Sequence, residues 1–132
     1  MKSIHFLLAA ALLSGGKAFA QDDATCLARI MNAESKGESF EGVIAAGQAA
    51  ITRAEDQDAN LCDVGGVHRS RPHKSMAAYY LALARELLTH PSTSISKGAD
   101  SWNTGKKPAH PGKITRHIDG HVFYILSAAK EH

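Results

Sequence analysis

The chain has 132 residues, 44% of them apolar and 6% aromatic, with 15 basic and 13 acidic side chains and a formal net charge of +2. That length suits one hydrophobic core rather than several, and the near balance of charge argues against a nucleic-acid binder, which needs a basic surface interleaved with stacking rings. The apolar run at residues 6–13 is shorter than the roughly 20 residues that a membrane-spanning helix needs.

Residues 1–20 read as an export signal, with Lys2 as the positive start, the run at 6–13 as its apolar centre and Ala18-Phe19-Ala20 as the small-residue cleavage site. The expected domain is therefore 21–132, placed in the periplasm or outside the cell. Loss of Lys2 and Lys17 with the signal leaves basic and acidic side chains equal in number. They are unevenly divided, since residues 21–64 hold nine acidic and three basic side chains and residues 65–132 hold ten basic and four acidic. An acidic face and a basic face are expected. Cys26 and Cys62 should form a disulfide in an oxidising compartment, the alternative being two buried thiols. A bridge of that loop length stabilises by roughly 3 to 5 kcal/mol.

The first helix is expected over residues 24–33, with Gly37 ending or turning the chain soon after. Leu27, Ile30 and Met31 share one face, and Glu34 follows the last two at spacings of four and three, so a carboxyl closes an apolar stripe. Desolvation at such a position raises a carboxyl pKa and lets it hold a proton for a leaving group. The bland alternative is a solvated or capping Glu. Glu38 and Glu41 follow across the Gly37 turn, close enough in sequence to share a cleft with Glu34, although Glu41 is equally suited to the positive end of the next helix.

That second helix is expected to start after Ser39 as N-cap and to carry Val43, Ile44, Gly47, Ala50, Ile51 and Ala54 at helical spacing. Gly42, Ala46, Gly47 and Ala50 keep it slim, as a central helix packed on several sides requires. Residues 55–60 read as an acidic loop. A third helix is expected after Ser75, over 76–89, with Met76, Tyr80, Leu83, Leu87 and Leu88 on one side and Pro91 ending it. Between them, Arg69, Arg71 and Lys74 form a basic loop, either solvated or facing an anionic partner. Residues 92–120 read as an irregular stretch, and residues 121–126 as a strand or buried terminal segment.

An acid carboxyl with further carboxylates nearby suits glycoside cleavage, in which the leaving oxygen must be protonated. Glu38, Glu41 and Asp119 are the candidates for the second group; without one, the substrate's own groups complete the reaction and the enzyme is a transglycosylase. Trp102, with Asn103 beside it, is either a sugar-stacking platform or a core anchor, and Tyr79, Tyr80 and Tyr124 have the same two readings. The histidines left after the signal all lie beyond Gly65. His110, His117 and His121 are conceivable metal ligands, but Asp119-Gly120 argues against the helix that the i, i+4 spacing of the last two would need.

The stretch CLARIMNAESKGESFEGVIAAGQAAITRA, from Cys26, and the closing IDGHVFY, from Ile118, together resemble the SleB-like cell-wall hydrolases. The first is similar to that family's helix, E-x-x-G-E-x-x-x-G turn and Ala-rich helix, Leu61-Cys62-Asp63-Val64 is similar to its next turn, and the last is similar to its I-G-x-H-V-F-Y segment. The middle departs: HRSRPHKS stands where members have a Q-F-S stretch, and Gly98 to Asn103 where they have an aromatic segment. The resemblance implies a lysozyme-like fold within an α+β, mainly α, class. It implies cleavage of peptidoglycan glycan strands by lytic transglycosylase or muramidase chemistry, in a monomer with no cofactor or metal. It makes Glu34 the general acid, has Gly37, Glu38 and Gly42 shape the turn, and sets His121 at the closing histidine; Glu41, Trp102, Asn103 and Tyr124, read from their own chemistry, join His121 as substrate-binding candidates. The alternatives carried alongside are a non-catalytic peptidoglycan-binding or envelope-assembly module and a periplasmic metal binder.

Overall fold

The computed structural model describes residues 21–34, 38–64 and 77–127, and within them the chain is α+β and mainly helical. The expected export signal, the Gly37 turn, the basic run 65–74 with His68 and His73, and Ser75 and Met76 lie outside the described residues. Helix α1 spans Gln21–Glu34, beyond the expected 24–33 at both ends. Asp23 in its first turn complements the positive end of the helix, and Leu27, Ile30 and Met31 are buried as the stripe requires.

Helix α2 spans Phe40–Asp56, with the Ser39 hydroxyl accepting the Gly42 N–H at 3.2 Å as its N-cap. The helix runs into the expected 55–60 loop and ends where the Gln57 N–H returns to the Arg53 carbonyl. Residues 42–51 are buried without interruption, because the helix is covered on two sides. On one side Val43, Ile44, Ala50, Ile51 and Ala54 join α1 and α3 in the larger core. On the other, Ala45, Ala46 and Ala49 meet Ala99, Ile118 and Phe123 of the sheet region. Gly47 allows the closest approach: a Cβ there would sit 2.8 Å from Leu87 Cδ1 and 3.1 Å from Met31 Sδ.

A 3-10 turn at Leu61–Asp63 follows, and Cys62 in it is disulfide-bonded to Cys26 of α1 with the Cα atoms 5.1 Å apart. Helix α3 spans Ala77–Thr89. It buries Tyr80, Ala84 and Leu87, with Leu81, Leu83 and Leu88 packed at the margin of the core, and Pro91 lies just past its end.

The stretch 92–120 is not uniformly irregular, since it contains β1, Ser101–Thr104, and β2, Gly112–Ile118. Strand β2 is missed by pattern because its side chains are mostly polar and only Ile118 is buried. Pairing supplies what its own sequence lacks. Strand β3, His121–Leu126, lies between the other two in the order β1-β3-β2, antiparallel to both. A bulge between Ile114 and Arg116 lets the Thr115 hydroxyl donate to the Ser96 carbonyl at 2.8 Å. The buried Gln48 of α2 accepts the Ile95 and Ser96 N–H groups, each at 3.0 Å, and so fastens the segment before β1 to the central helix. Among the described residues, no helix is long and apolar enough to cross a membrane.

Candidate active site

Four pieces of chain meet at one end of α2: the last residue of α1, the segment before α2, the two-residue turn between β2 and β3, and the first residue of β3. They bring Glu34, Glu38, Asp119 and His121 together. His121 Nε2 lies 2.9 Å from Glu34 Oε2, and its Nδ1 is in hydrogen-bond contact with Glu38 Oε1. The ring thus stands between two carboxyl groups, which are held apart by the width of an imidazole. The side chain of Glu34 is 24% exposed, that of His121 12% and that of Glu38 5%, so Glu34 is the one of the three most open to a ligand.

The turn is fixed to the helix by a second set of contacts. Asp119, at φ 51°, accepts the Ser39 N–H at 2.9 Å and the Ser39 hydroxyl at 2.6 Å. These bonds, the hydroxyl first and the N–H second, hold the Asp119 carboxyl below its ordinary value of 3.8, with smaller pulls from Glu38 and His121 and an opposing push from desolvation. Gly42 faces the same cluster, since a Cβ there would come 2.9 Å from Glu38 Oε2 and 3.4 Å from Asp119 Oδ2. Glycine at 42 leaves the space that Glu38 occupies.

The other expected site residues are placed differently. Glu41 points away from the triad into an ion pair with Arg116, whose second nitrogen donates to the Ile95 carbonyl. Tyr124 is 2% exposed and belongs to the core, because β3 is the central strand and is covered on both faces; its ring is not offered to a substrate. Trp102 is half-buried and packed against both hydrophobic clusters, which makes it a core anchor. Asn103 spends its amide on the following loop, donating to the Thr104 and Lys107 carbonyls and accepting the Ala109 N–H. His117 contacts the Lys106 carbonyl at 3.0 Å, and among the described residues no three His, Cys, Asp or Glu side chains form a group that could hold a metal ion. His110, His117 and His121 are therefore not assembled as ligands.

Phe40 is the residue that pattern reading overlooked. It opens α2 directly after Ser39 and is 60% exposed. Its helical row continues through Val43, Ile44 and Gly47, and Gly47 faces Met31 of α1. An apolar row that ends on an exposed ring, at the end of the helix pair where Glu34 lies, was the available signal. The groove lined by Gln48, Thr52, Glu55 and Pro91 contains none of these residues.

Comparison of the chain with protein-family models, with curated proteins and with solved structures returns no match.

Proposed function

We propose that the chain is an exported, lysozyme-like, SleB-like enzyme that cleaves peptidoglycan glycan strands as a lytic transglycosylase, with Glu34 as its general acid. One observation carries the reading. Of the two carboxyl groups that His121 joins, Glu38 is 5% exposed and Glu34 24%, so Glu34 is the one of that pair a substrate can reach, while the exposed Asp119 and Glu41 are held by Ser39 and Arg116.

Hydrolysis with two carboxylates requires the second one to reach the opposite face of the sugar, as nucleophile or as base for water. A site whose other carboxyl groups are engaged by His121, Ser39 and Arg116 suits the intramolecular route instead. Glu34 protonates the glycosidic oxygen as the bond to the anomeric carbon breaks. The C6 hydroxyl of the same sugar then closes on that carbon, and its proton returns to Glu34. The disulfide between Cys26 and Cys62 is compatible with the oxidising surroundings in which peptidoglycan lies. Phe40, exposed at the start of α2, offers an apolar ring face on which a pyranose can stack.

Digestion of purified sacculi followed by mass spectrometry of the released fragments tests this reading. Fragments ending in 1,6-anhydro sugars are expected. Reducing ends would turn the proposal into a muramidase, and tight sacculus binding without release would turn it into a binding module.

A further inference from the structure

Burial of a carboxylate as deep as Glu38 is costly unless its charge is met. Its side chain is 5% exposed, its Oε1 contacts His121 Nδ1, and its Oε2 has no hydrogen-bond partner among the described residues. Across the ring, Nε2 faces Glu34 Oε2. A nitrogen and a carboxyl oxygen hold together at hydrogen-bond distance when one proton lies between them. A neutral imidazole carries a single N–H. Closure at both ends of His121 is therefore met either by a doubly protonated ring, which donates to Glu38 Oε1 and to Glu34 Oε2 while Glu34 can carry a proton on its Oε1, or by a neutral ring to which Glu34 gives its own proton at Nε2.

The groups around the ring choose between these. Glu34 faces it from the end of α1, Glu38 from the segment before α2 and Asp119 acts on it from the β2–β3 turn, while Phe123 of β3 contributes an uncharged ring at a centroid distance of 6.4 Å. Every charged neighbour named is acidic. With both nitrogens protonated, all of these contacts are attractive at once.

We propose that Glu38 is a positioning residue that acts through His121: by accepting at Nδ1 it keeps a proton on Nε2, and that N–H meets the charge left on Glu34 when Glu34 protonates the glycosidic oxygen. This rests on Glu34 being the acid. Oε2 of Glu34 faces the ring, so the proton it gives is the one on Oε1. The bonding pair of the breaking C–O bond leaves with the oxygen, which takes that proton. The carboxylate so formed is held by the Nε2–H until the C6 hydroxyl, closing on the anomeric carbon, returns a proton to it. The ring keeps both of its protons throughout. Glu38 never touches the substrate, and its burial serves to hold the orientation and protonation of a neighbour, much as a buried carboxylate orients a catalytic histidine in hydrolases.

The test combines ring-nitrogen NMR of His121 with the pH profile of kcat on a soluble glycan fragment, in the wild-type chain and in Glu38→Gln. The expected result is a proton on Nε2, facing Glu34, and another on Nδ1, facing Glu38, in the wild type. In Glu38→Gln, whose amide can donate as well as accept at Nδ1, the proton should no longer be held on Nε2, kcat should fall by at least about tenfold, and the pH profile should differ from that of the wild type. A wild-type ring without a proton on Nε2, or a variant whose pH profile matches the wild type, overturns the proposal. The wild-type spectrum decides the matter even where the variant does not fold. Glu34→Gln, assayed in parallel, separates the two claims: retained product release overturns the acid assignment, whereas its loss together with an unchanged Glu38→Gln profile overturns only the role of Glu38.

Discussion

Asp119 Oδ2 takes two hydrogen bonds from one residue, the N–H and the hydroxyl of Ser39, across 80 positions of sequence. The same hydroxyl accepts the Gly42 N–H, so the cap of α2 and the tip of the β2–β3 hairpin form one unit. Glu38 immediately precedes Ser39, and His121 lies two residues after Asp119. The latch thus sets the alignment in which the ring meets Glu38 and reaches Glu34.

Asp119→Asn tests the latch. Asn tolerates the positive φ of this position as Asp does, so the charge is the variable. The Asp119 carboxyl is held below 3.8 in the folded chain. Its contribution is thus fully present above the unfolded value and is lost as pH falls through the lower folded one. Acid unfolding followed by circular dichroism should show the variant less stable at neutral pH and less sensitive to pH below about 4. Superimposable curves would show that the latch carries no net stabilisation.

Gly42→Ala separates stability from alignment. Alanine in the first turn of α2 gains up to about 1 kcal/mol of helix propensity. Its methyl group would nevertheless meet Glu38 Oε2 at 2.9 Å. We expect an unfolding free energy within about 1 kcal/mol of wild type and a loss of activity of about tenfold or more, as Glu38 is pushed off His121.

What could be read in the sequence is what local pattern encodes. The stripe Leu27, Ile30, Met31 and Glu34, the Ser39 cap and the slim central helix each follow from spacings within a few turns, and the disulfide followed from compartment and count. The 121–126 strand was legible because a central strand, buried on both faces at Val122, Phe123 and Tyr124, reads as a continuous apolar run. That same burial is why Tyr124 misled as a groove residue. Strands β1 and β2 were hidden because their hydrogen bonds go to β3 and their exposed faces are polar. The contact of Glu38 with His121 spans 83 positions, and no periodicity reaches that far. Resemblance placed both residues in the site, and the fold supplied their contact.

Phe40→Ala should raise the apparent KM for a soluble glycan fragment by about fivefold to tenfold, the equivalent of roughly 1 kcal/mol of stacking. The ring is 60% exposed, so little core packing is lost and the thermal midpoint should stay close to wild type. An unchanged KM would remove Phe40 from the groove.

Reduction of the Cys26–Cys62 bond, or its replacement by a Ser pair, should lower the unfolding free energy by roughly 3 to 5 kcal/mol. The bridge ties the helix bearing Glu34 to the 3-10 turn, at a distance from the acid set by the length of α1. Denaturant titration with and without reductant measures the effect, and coincident curves would contradict it.

The central claim is that Glu34 delivers the proton that breaks the glycan strand. Glu34→Gln keeps the size of the side chain and an acceptor oxygen for His121 Nε2 while removing the proton that can be given. Release of soluble muropeptides from purified sacculi by this variant, with its fold verified by circular dichroism, is the most direct measurement. The account predicts a loss of at least about 100-fold relative to wild type, with the fold intact. Release at the wild-type rate would contradict it.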